Sequence, residues 1–162
     1  MAPMTLEAWR RAGERVPVGQ HTLFVRAEGE GPHLTLLHGF PTCSWDWSKI
    51  WARLSQGHAL LAPDLLGFGD SDKPNAPYSF DLQADLVTAL WRQRGVESTT
   101  LVAHDYSATL ALELLARQAA GAAQPRIERV FLLNGGLRGH LHRARPIQRV
   151  LASPAGPLAA RF

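Results

Sequence analysis

The chain has 162 residues, of which 46% are hydrophobic and 19% are charged, a composition typical of a soluble globular domain. Its single cysteine, Cys43, excludes an internal disulfide, and no apolar run approaches the roughly 18 residues that a membrane span needs. The first residues lack the apolar core of a signal peptide. We therefore predict a cytoplasmic protein.

The net charge of +3 comes from the C-terminal end of the chain. Residues 137–162 contain five arginines and no acid, so the remaining residues carry a net charge of −2. No aromatic residues alternate with these arginines to form a stacking surface for bases. We expect no nucleic-acid partner, and we divide the chain into an N-terminal extension (1–15), a core (16–136) and a basic tail (137–162).

Strands and helices are predicted to alternate along the core. The predicted strands cover residues 21–27, 34–37, 59–65, 99–103 and 127–133, and the predicted helices cover 5–14, 44–54, 79–94 and 106–119. Ser44 is the expected N-cap of the second helix. The core residues expected on that helix are Trp47, Ile50, Trp51 and Leu54, whereas Trp45 lies off their stripe and is expected near a pocket. The alternation favours a doubly wound, mostly parallel α/β sheet.

The stretch TTLVAHDYSATLAL at residues 99–112 predicts a strand, a sharp turn and a helix. Small residues, Ala103 and Ser107, stand two positions on either side of Asp105, as a nucleophile elbow requires. Ser107 is the other candidate nucleophile, but Asp105 would then occupy a position that must be small. A further alternative is that His104 and Asp105 only cap the helix.

A second motif, His38-Gly39-Phe40-Pro41, directly follows the buried strand at 34–37. The glycine permits a tight turn and the proline fixes the exit, so we expect the Phe40 amide to point into a cleft. Right-handed crossovers would bring this loop and the elbow to the same edge of the sheet. The amides of Phe40 and Tyr106 are then the candidate donors of an oxyanion hole.

Three motifs resemble the epoxide hydrolase and haloalkane dehalogenase branch of the α/β-hydrolase superfamily: HGFPTCSWDW at 38–47, APDLLGFGDSDKP at 62–74 and AHDYS at 103–107. Within that branch, they are most similar to the mesoderm-specific transcript proteins and their bacterial relatives. The resemblance covers about residues 17–162. It implies an α/β-hydrolase fold, with Asp105 as nucleophile and the Phe40 and Tyr106 amides as oxyanion-hole donors.

The sequence also departs from this branch, both in the 38–41 motif and at the elbow. Haloalkane dehalogenases of the best-known type carry Asn at the position of Phe40 and Trp at that of Tyr106, and those side chains hold the halide. Their loss makes the resemblance favour epoxides over haloalkanes. Ser107 stands where epoxide hydrolases usually have glycine, so we expect a crowded turn.

The chemistry of an aspartate nucleophile agrees with that preference. An aspartate carboxylate, with an ordinary pKa of about 3.9, is ionised at neutral pH and attacks a saturated carbon without a base. Hydrolysis of the resulting ester needs a histidine-activated water. The resemblance puts that histidine, its acid and a cap domain beyond the last predicted strand, and we do not expect His140 or His142 to replace it. We therefore expect the N-terminal half of a hydrolase, unable to turn over alone.

Two other functions stay open, a non-catalytic binding protein with this fold and a hydrolase of the esterase type. We expect a small-molecule substrate, and neither a metal nor an organic cofactor, because no His/Cys cluster and no GxGxxG after a strand occurs. Five strands without later partners would leave a sheet edge uncovered, which predicts self-association.

Overall fold

A computed structural model describes residues 4–135 of the chain. The basic tail, with His140 and His142, lies outside this range. In chain order the elements are α1 Leu6–Arg11, β1 Glu14–Val18, β2 His21–Glu28, β3 His33–Leu37, a 3-10 helix Ser44–Trp47, α2 Ser48–Leu54, β4 Ala59–Pro63, α3 Phe80–Gln93, β5 Ser98–His104, α4 Tyr106–Ala119 and β6 Arg126–Leu133. None of the helices between residues 4 and 135 has the length and apolar character to cross a membrane.

The strands form one six-stranded sheet in the order β1-β2-β4-β3-β5-β6. The four strands from β4 to β6 in that order run parallel, whereas β1 and β2 are antiparallel to their neighbours. The prediction of a mostly parallel α/β sheet is therefore confirmed. Strand β1 is a sixth strand that the sequence analysis did not predict.

Helices cover both faces of the sheet, as the doubly wound prediction requires. Leu90 of α3 and Leu114 of α4 are fully buried against one face. Trp9 of α1 and Trp51 of α2 are fully buried against the other. The two apolar clusters hold the sheet between two layers of helices and fix the positions of the loops at its edges.

The order of the strands creates a crevice between β3 and β5. From β3 the chain passes through α2 to β4 on one side, and α3 then returns it to β5 on the other side. The neighbouring parallel strands β3 and β5, with Leu37 opposite Ala103, are thus followed by helices on opposite faces. Ligands bind at such switch points of α/β sheets, outside the carboxyl ends of the strands.

The helix predicted at residues 5–14 is shorter in the structure. The hydroxyl of Thr5 accepts a hydrogen bond from the Ala8 amide at the start of α1, which ends at Arg11. A Cβ on Gly13 would lie 2.1 Å from the ring of Phe24, so a larger residue where the chain leaves the helix would force this buried ring to shift. The expected N-terminal extension also contributes Trp9, which is 1% exposed, to the core.

The second predicted helix begins differently from the prediction. Ser44 is not its N-cap, because Ser44 starts a 3-10 helix and α2 begins only at Ser48. The Ser44 hydroxyl instead accepts a hydrogen bond from the Trp9 indole, and its amide donates to the carboxylate of Asp64. The predicted core side chains of Trp47 and Trp51 are buried, but Ile50 is exposed.

Strand β6 stands at one end of the sheet. From Arg129 to Leu133, exposed side chains alternate with partly buried ones, and Phe131 and Leu133 are 54% and 42% exposed. Within residues 4–135, β5 is the strand that pairs with β6. The self-association expected from such an edge stays a prediction.

Candidate active site

Asp105 lies at the turn between β5 and α4, where the sequence predicts the elbow. Its φ of 49° and ψ of −110° reverse the chain within one residue, and its amide donates to the Leu133 carbonyl of β6. Asp105 occupies the N-cap position of α4, but its side chain makes no capping hydrogen bond. The strand, turn and helix are confirmed, and helix capping does not account for the carboxylate.

The Asp105 carboxylate contacts the loop that follows β3. The Phe40 amide donates a hydrogen bond of 3.1 Å to Asp105 Oδ2, so the 38–41 motif and the elbow meet across the crevice. Of the two expected donors, Phe40 is the one whose amide contacts this carboxylate within the described part of the chain. The Tyr106 amide belongs to the first residue of α4, where the helix dipole favours negative charge.

Gly39 is required for a reason other than the expected tight turn. A Cβ at this position would lie 2.8 Å from His104 Nδ1 and 2.9 Å from the Cβ of Asp105. Any larger residue would push the loop away from the elbow and lengthen the Phe40 contact. The next peptide, Phe40–Pro41, is cis.

His38 holds the same loop from behind and is fully buried. Its Nδ1 donates to the Gly39 carbonyl at 2.8 Å, and its Nε2 accepts from the Leu65 amide at 3.0 Å, which requires the neutral ring. Burial lowers the pKa of His38, in keeping with that state. His38 therefore joins the loop after β3 to the loop after β4.

Ser107, the alternative nucleophile, has no access to solvent. Its hydroxyl donates to the His38 carbonyl, which ties the first turn of α4 to the end of β3. Ser107, which is larger than the glycine usual in epoxide hydrolases, fits at this position with its hydroxyl bonded to the His38 carbonyl. The Ser107 hydroxyl is therefore engaged inside the fold, while the Asp105 carboxylate contacts the loop that follows β3.

His104, the other polar residue of the elbow, lies toward Asp46 of the 3-10 helix. Its Nδ1 is 3.9 Å from Asp46 Oδ2, beyond hydrogen-bond distance. The Thr42 hydroxyl donates to Asp46 and lies 3.0 Å from the Gly39 carbonyl. The Thr42 hydroxyl and the His104 ring thus both lie close to Gly39.

Trp45, expected near a pocket, packs with the apolar cluster of α1 and α2 in the described part of the chain. Its ring stands edge-on to Trp9 at 5.8 Å, within the cluster on the α1 and α2 face. Between residues 4 and 135, no group of three His, Cys, Asp or Glu side chains is placed to hold a metal ion.

A family model described as alpha/beta hydrolase fold matches residues 32–152, about three quarters of the chain. The chain belongs to the α/β-hydrolase fold family. It is 37% identical over 165 residues to the putative hydrolase LipZ of Mycobacterium tuberculosis, covering 100% of this chain and 57% of LipZ. It is 39% identical over 155 residues to the mesoderm-specific transcript homolog protein of Bos taurus, covering 90% of this chain and 46% of that protein.

Solved structures agree with this assignment to the α/β-hydrolase fold family. The haloalkane dehalogenase DbeA from Bradyrhizobium elkani superposes with a TM-score of 0.77 and 29% identity, over 91% of this chain and 52% of DbeA. A crystal structure of a DbjA mutant gives a TM-score of 0.77 and 31% identity, over 91% of this chain and 53% of that chain. The chain thus spans about half the length of the relatives it matches.

Two site residues of this α/β-hydrolase fold were missed by the sequence analysis, both in the loop after β4. Asp64 is buried and its carboxylate accepts from the amides of Ser44 and Asp70, which holds the glycine-rich loop against the 3-10 helix. Phe68, in the same loop, contacts the rings of Phe40 and Tyr106. The signal was available, since a loop after a parallel strand opens at the same sheet edge as the elbow.

Proposed function

We propose that this chain is part of a hydrolase in which Asp105 is the nucleophile and forms an alkyl ester with an epoxide-like electrophile. The observation that carries the proposal is the hydrogen bond from the Phe40 amide to Asp105 Oδ2, made across the crevice between β3 and β5. An aspartate that only capped α4 would bond to that helix, and this one does not. The buried Ser107 hydroxyl supports Asp105 over the serine alternative.

In the first step, a carboxylate oxygen of Asp105 attacks a ring carbon of the epoxide. A carbon–oxygen bond forms, the ring carbon–oxygen bond breaks, and the released alkoxide takes a proton from water. A saturated carbon suits a carboxylate nucleophile, because the product is an ester, whereas attack on an acyl group would give a high-energy anhydride. Carboxylic esters are therefore disfavoured as substrates.

In the second step, water adds to the ester carbon of Asp105. The bond from that carbon to the alkyl oxygen then breaks, and the alkyl oxygen takes a proton and leaves in the diol product. Before this bond breaks, negative charge develops on the carboxyl oxygens of Asp105. The Phe40 amide already contacts one of these oxygens, and the Tyr106 amide at the start of α4 is the proposed second donor. A base must take a proton from the water. Both ring nitrogens of His38 are engaged and His104 lies toward Asp46, so we assign this role to neither. We expect the ester on this chain to hydrolyse slowly.

Haloalkanes are the second candidate electrophile, because DbeA and a haloalkane dehalogenase of Bradyrhizobium diazoefficiens, 40% identical over 106 residues, resemble this chain. Phe40 carries no polar group to hold a halide, and it stands where such enzymes of the best-known type have Asn. We therefore propose the epoxide as the preferred electrophile. We also propose that the protein is cytoplasmic, as its sequence predicts.

The test is intact-protein mass spectrometry after incubation with 1,2-epoxyhexane or, in parallel, 1-bromohexane. Wild-type protein should gain one adduct from the epoxide, and proteolytic mapping should locate it at Asp105. Asp105→Asn should gain none, whereas Glu30→Gln, which changes an exposed carboxylate in the turn before β3, should react like wild type. A faster reaction with the bromide would favour the haloalkane instead.

Three results would overturn the proposal or part of it. An adduct retained in Asp105→Asn would mean that another residue is the nucleophile. Absence of any adduct on the wild-type protein would remove the support for ester formation. Rapid loss of the adduct, with heavy oxygen from labelled water entering Asp105, would show that the chain does complete the second step.

A further inference from the structure

Four aromatic side chains form a continuous row beside Asp105. The rings of Phe40 and Phe68 are perpendicular at 6.1 Å, and Phe68 lies 5.6 Å from the ring of Tyr106. Tyr106 in turn lies 4.7 Å from the ring of Phe80, the first residue of α3. We call these four side chains the aromatic row.

The aromatic row adjoins the reacting carboxylate. Phe40 donates its amide to Asp105 Oδ2, Tyr106 is the next residue in the chain, and Phe68 contacts the rings of both. The Phe40 ring is 53% exposed, and the other three side chains are partly buried. The half-exposed Phe40 ring continues into three further aromatic side chains, and its own backbone amide binds the carboxylate, so the row offers an apolar surface at the site.

We propose that the aromatic row selects an electrophile that carries an aryl group, so that the substrate class is an aryl-substituted epoxide. This inference rests on the proposed function of Asp105. Aromatic rings attract one another edge to face through their quadrupoles, beyond the apolar area that they bury. A saturated ring of the same size buries a similar apolar area but lacks this quadrupole attraction. The row should therefore discriminate flat aryl groups from saturated ones.

Two probes test this discrimination, phenyl glycidyl ether and cyclohexyl glycidyl ether. They share the same epoxide, and attack by Asp105 at its terminal carbon breaks the same ring bond and releases the same alkoxide, which takes a proton from water. The ratio of their adduct rates, divided by the ratio measured with free acetate, isolates the contribution of the distal ring. We expect the aryl probe to react about five-fold faster, as one favourable aromatic pair predicts.

Variants identify the residues responsible. Phe68→Leu and Phe40→Leu should each bring the corrected ratio toward one, whatever each change does to the rate with the cyclohexyl probe. Phe40 is half exposed, so its variant keeps the test valid if Phe68→Leu does not fold. Phe131→Leu, an exposed phenylalanine on β6 outside the row, is the matched control and should keep the wild-type ratio.

The outcomes separate this inference from the function on which it rests. A corrected ratio near one in wild type would overturn the aryl preference, and so would a ratio that stays at the wild-type value in both row variants. In either case, adducts at Asp105 would still support the proposed function. Absence of an adduct with either probe would instead remove the proposed function, and the aryl preference with it. A five-fold ratio that both row variants abolish would support the inference.

Discussion

The backbone of Asp105 should make glycine more stabilising than alanine at that position, the reverse of the usual order. Its φ of 49° with ψ of −110° costs a residue that has a Cβ about 1–3 kcal/mol. Asp105→Ala and Asp105→Gly both lose the bond from Phe40, so their difference in stability contains this strain and the backbone entropy of glycine. The greater flexibility of glycine in the unfolded chain lowers the stability of Asp105→Gly by about 0.5–1 kcal/mol relative to Asp105→Ala. We expect Asp105→Gly to be more stable by about 1 kcal/mol.

Thermal unfolding followed by circular dichroism measures the difference. For a chain of this size, about 1 kcal/mol corresponds to a Tm roughly 3 °C higher for Asp105→Gly than for Asp105→Ala. The matched pair is Glu113→Gly and Glu113→Ala within α4, where alanine should be more stable by about 1 kcal/mol. If Asp105→Ala melts at the same temperature as Asp105→Gly, or higher, the strain assigned to the elbow is wrong.

Two further predictions concern the bonds behind the elbow. Ser107→Ala removes the donor to the buried His38 carbonyl and should lower the free energy of unfolding in urea by about 1–3 kcal/mol. The control Ser55→Ala loses only a 3.3 Å bond to the Ala52 carbonyl and should lower it by less than about 0.5 kcal/mol. Equal losses of stability in the two variants would contradict this prediction. Burial lowers the pKa of His38, so the stability contributed by its neutral ring is present above the unfolded pKa of about 6.5 and is lost as the pH falls below it. The free energy of unfolding should therefore decrease from pH 7 to pH 5. In His38→Gln, whose amide oxygen can still accept from the Leu65 amide, this decrease should be smaller. An equal decrease in wild type and in His38→Gln would exclude His38 as the cause.

The sequence was sufficient to locate the elbow because two local patterns change at one residue. Apolar and β-branched residues end at Ala103, and leucines at helical spacing begin soon after Tyr106. The meeting of Phe40 with Asp105 follows from topology, since both loops leave the carboxyl ends of parallel strands. That meeting was therefore predictable without any side-chain geometry.

Other features depend on contacts that no local pattern records. Strand β1 has the sequence ERVPV, in which Pro17 and two charged residues obscure the alternation expected of a strand. It forms because it pairs with β2 at the edge of the sheet. The role of Ser44 is set by Asp64 and by Trp9, which lies 35 residues away in the chain. Helix-capping preference gave the wrong role there because these distant partners outweigh it.

The bonds around His38 explain how the Phe40 amide is placed before any substrate arrives. The His38 ring joins the loops after β3 and β4, and its carbonyl accepts from Ser107 at the start of α4. Movement of the Phe40 amide away from Asp105 would therefore disturb buried bonds from two other segments. An arrangement fixed during folding would leave little reorganisation for the reaction proposed at Asp105, which is the condition under which an oriented amide stabilises developing charge most effectively. Ser107, which departs from the usual glycine, thus adds rigidity to the elbow.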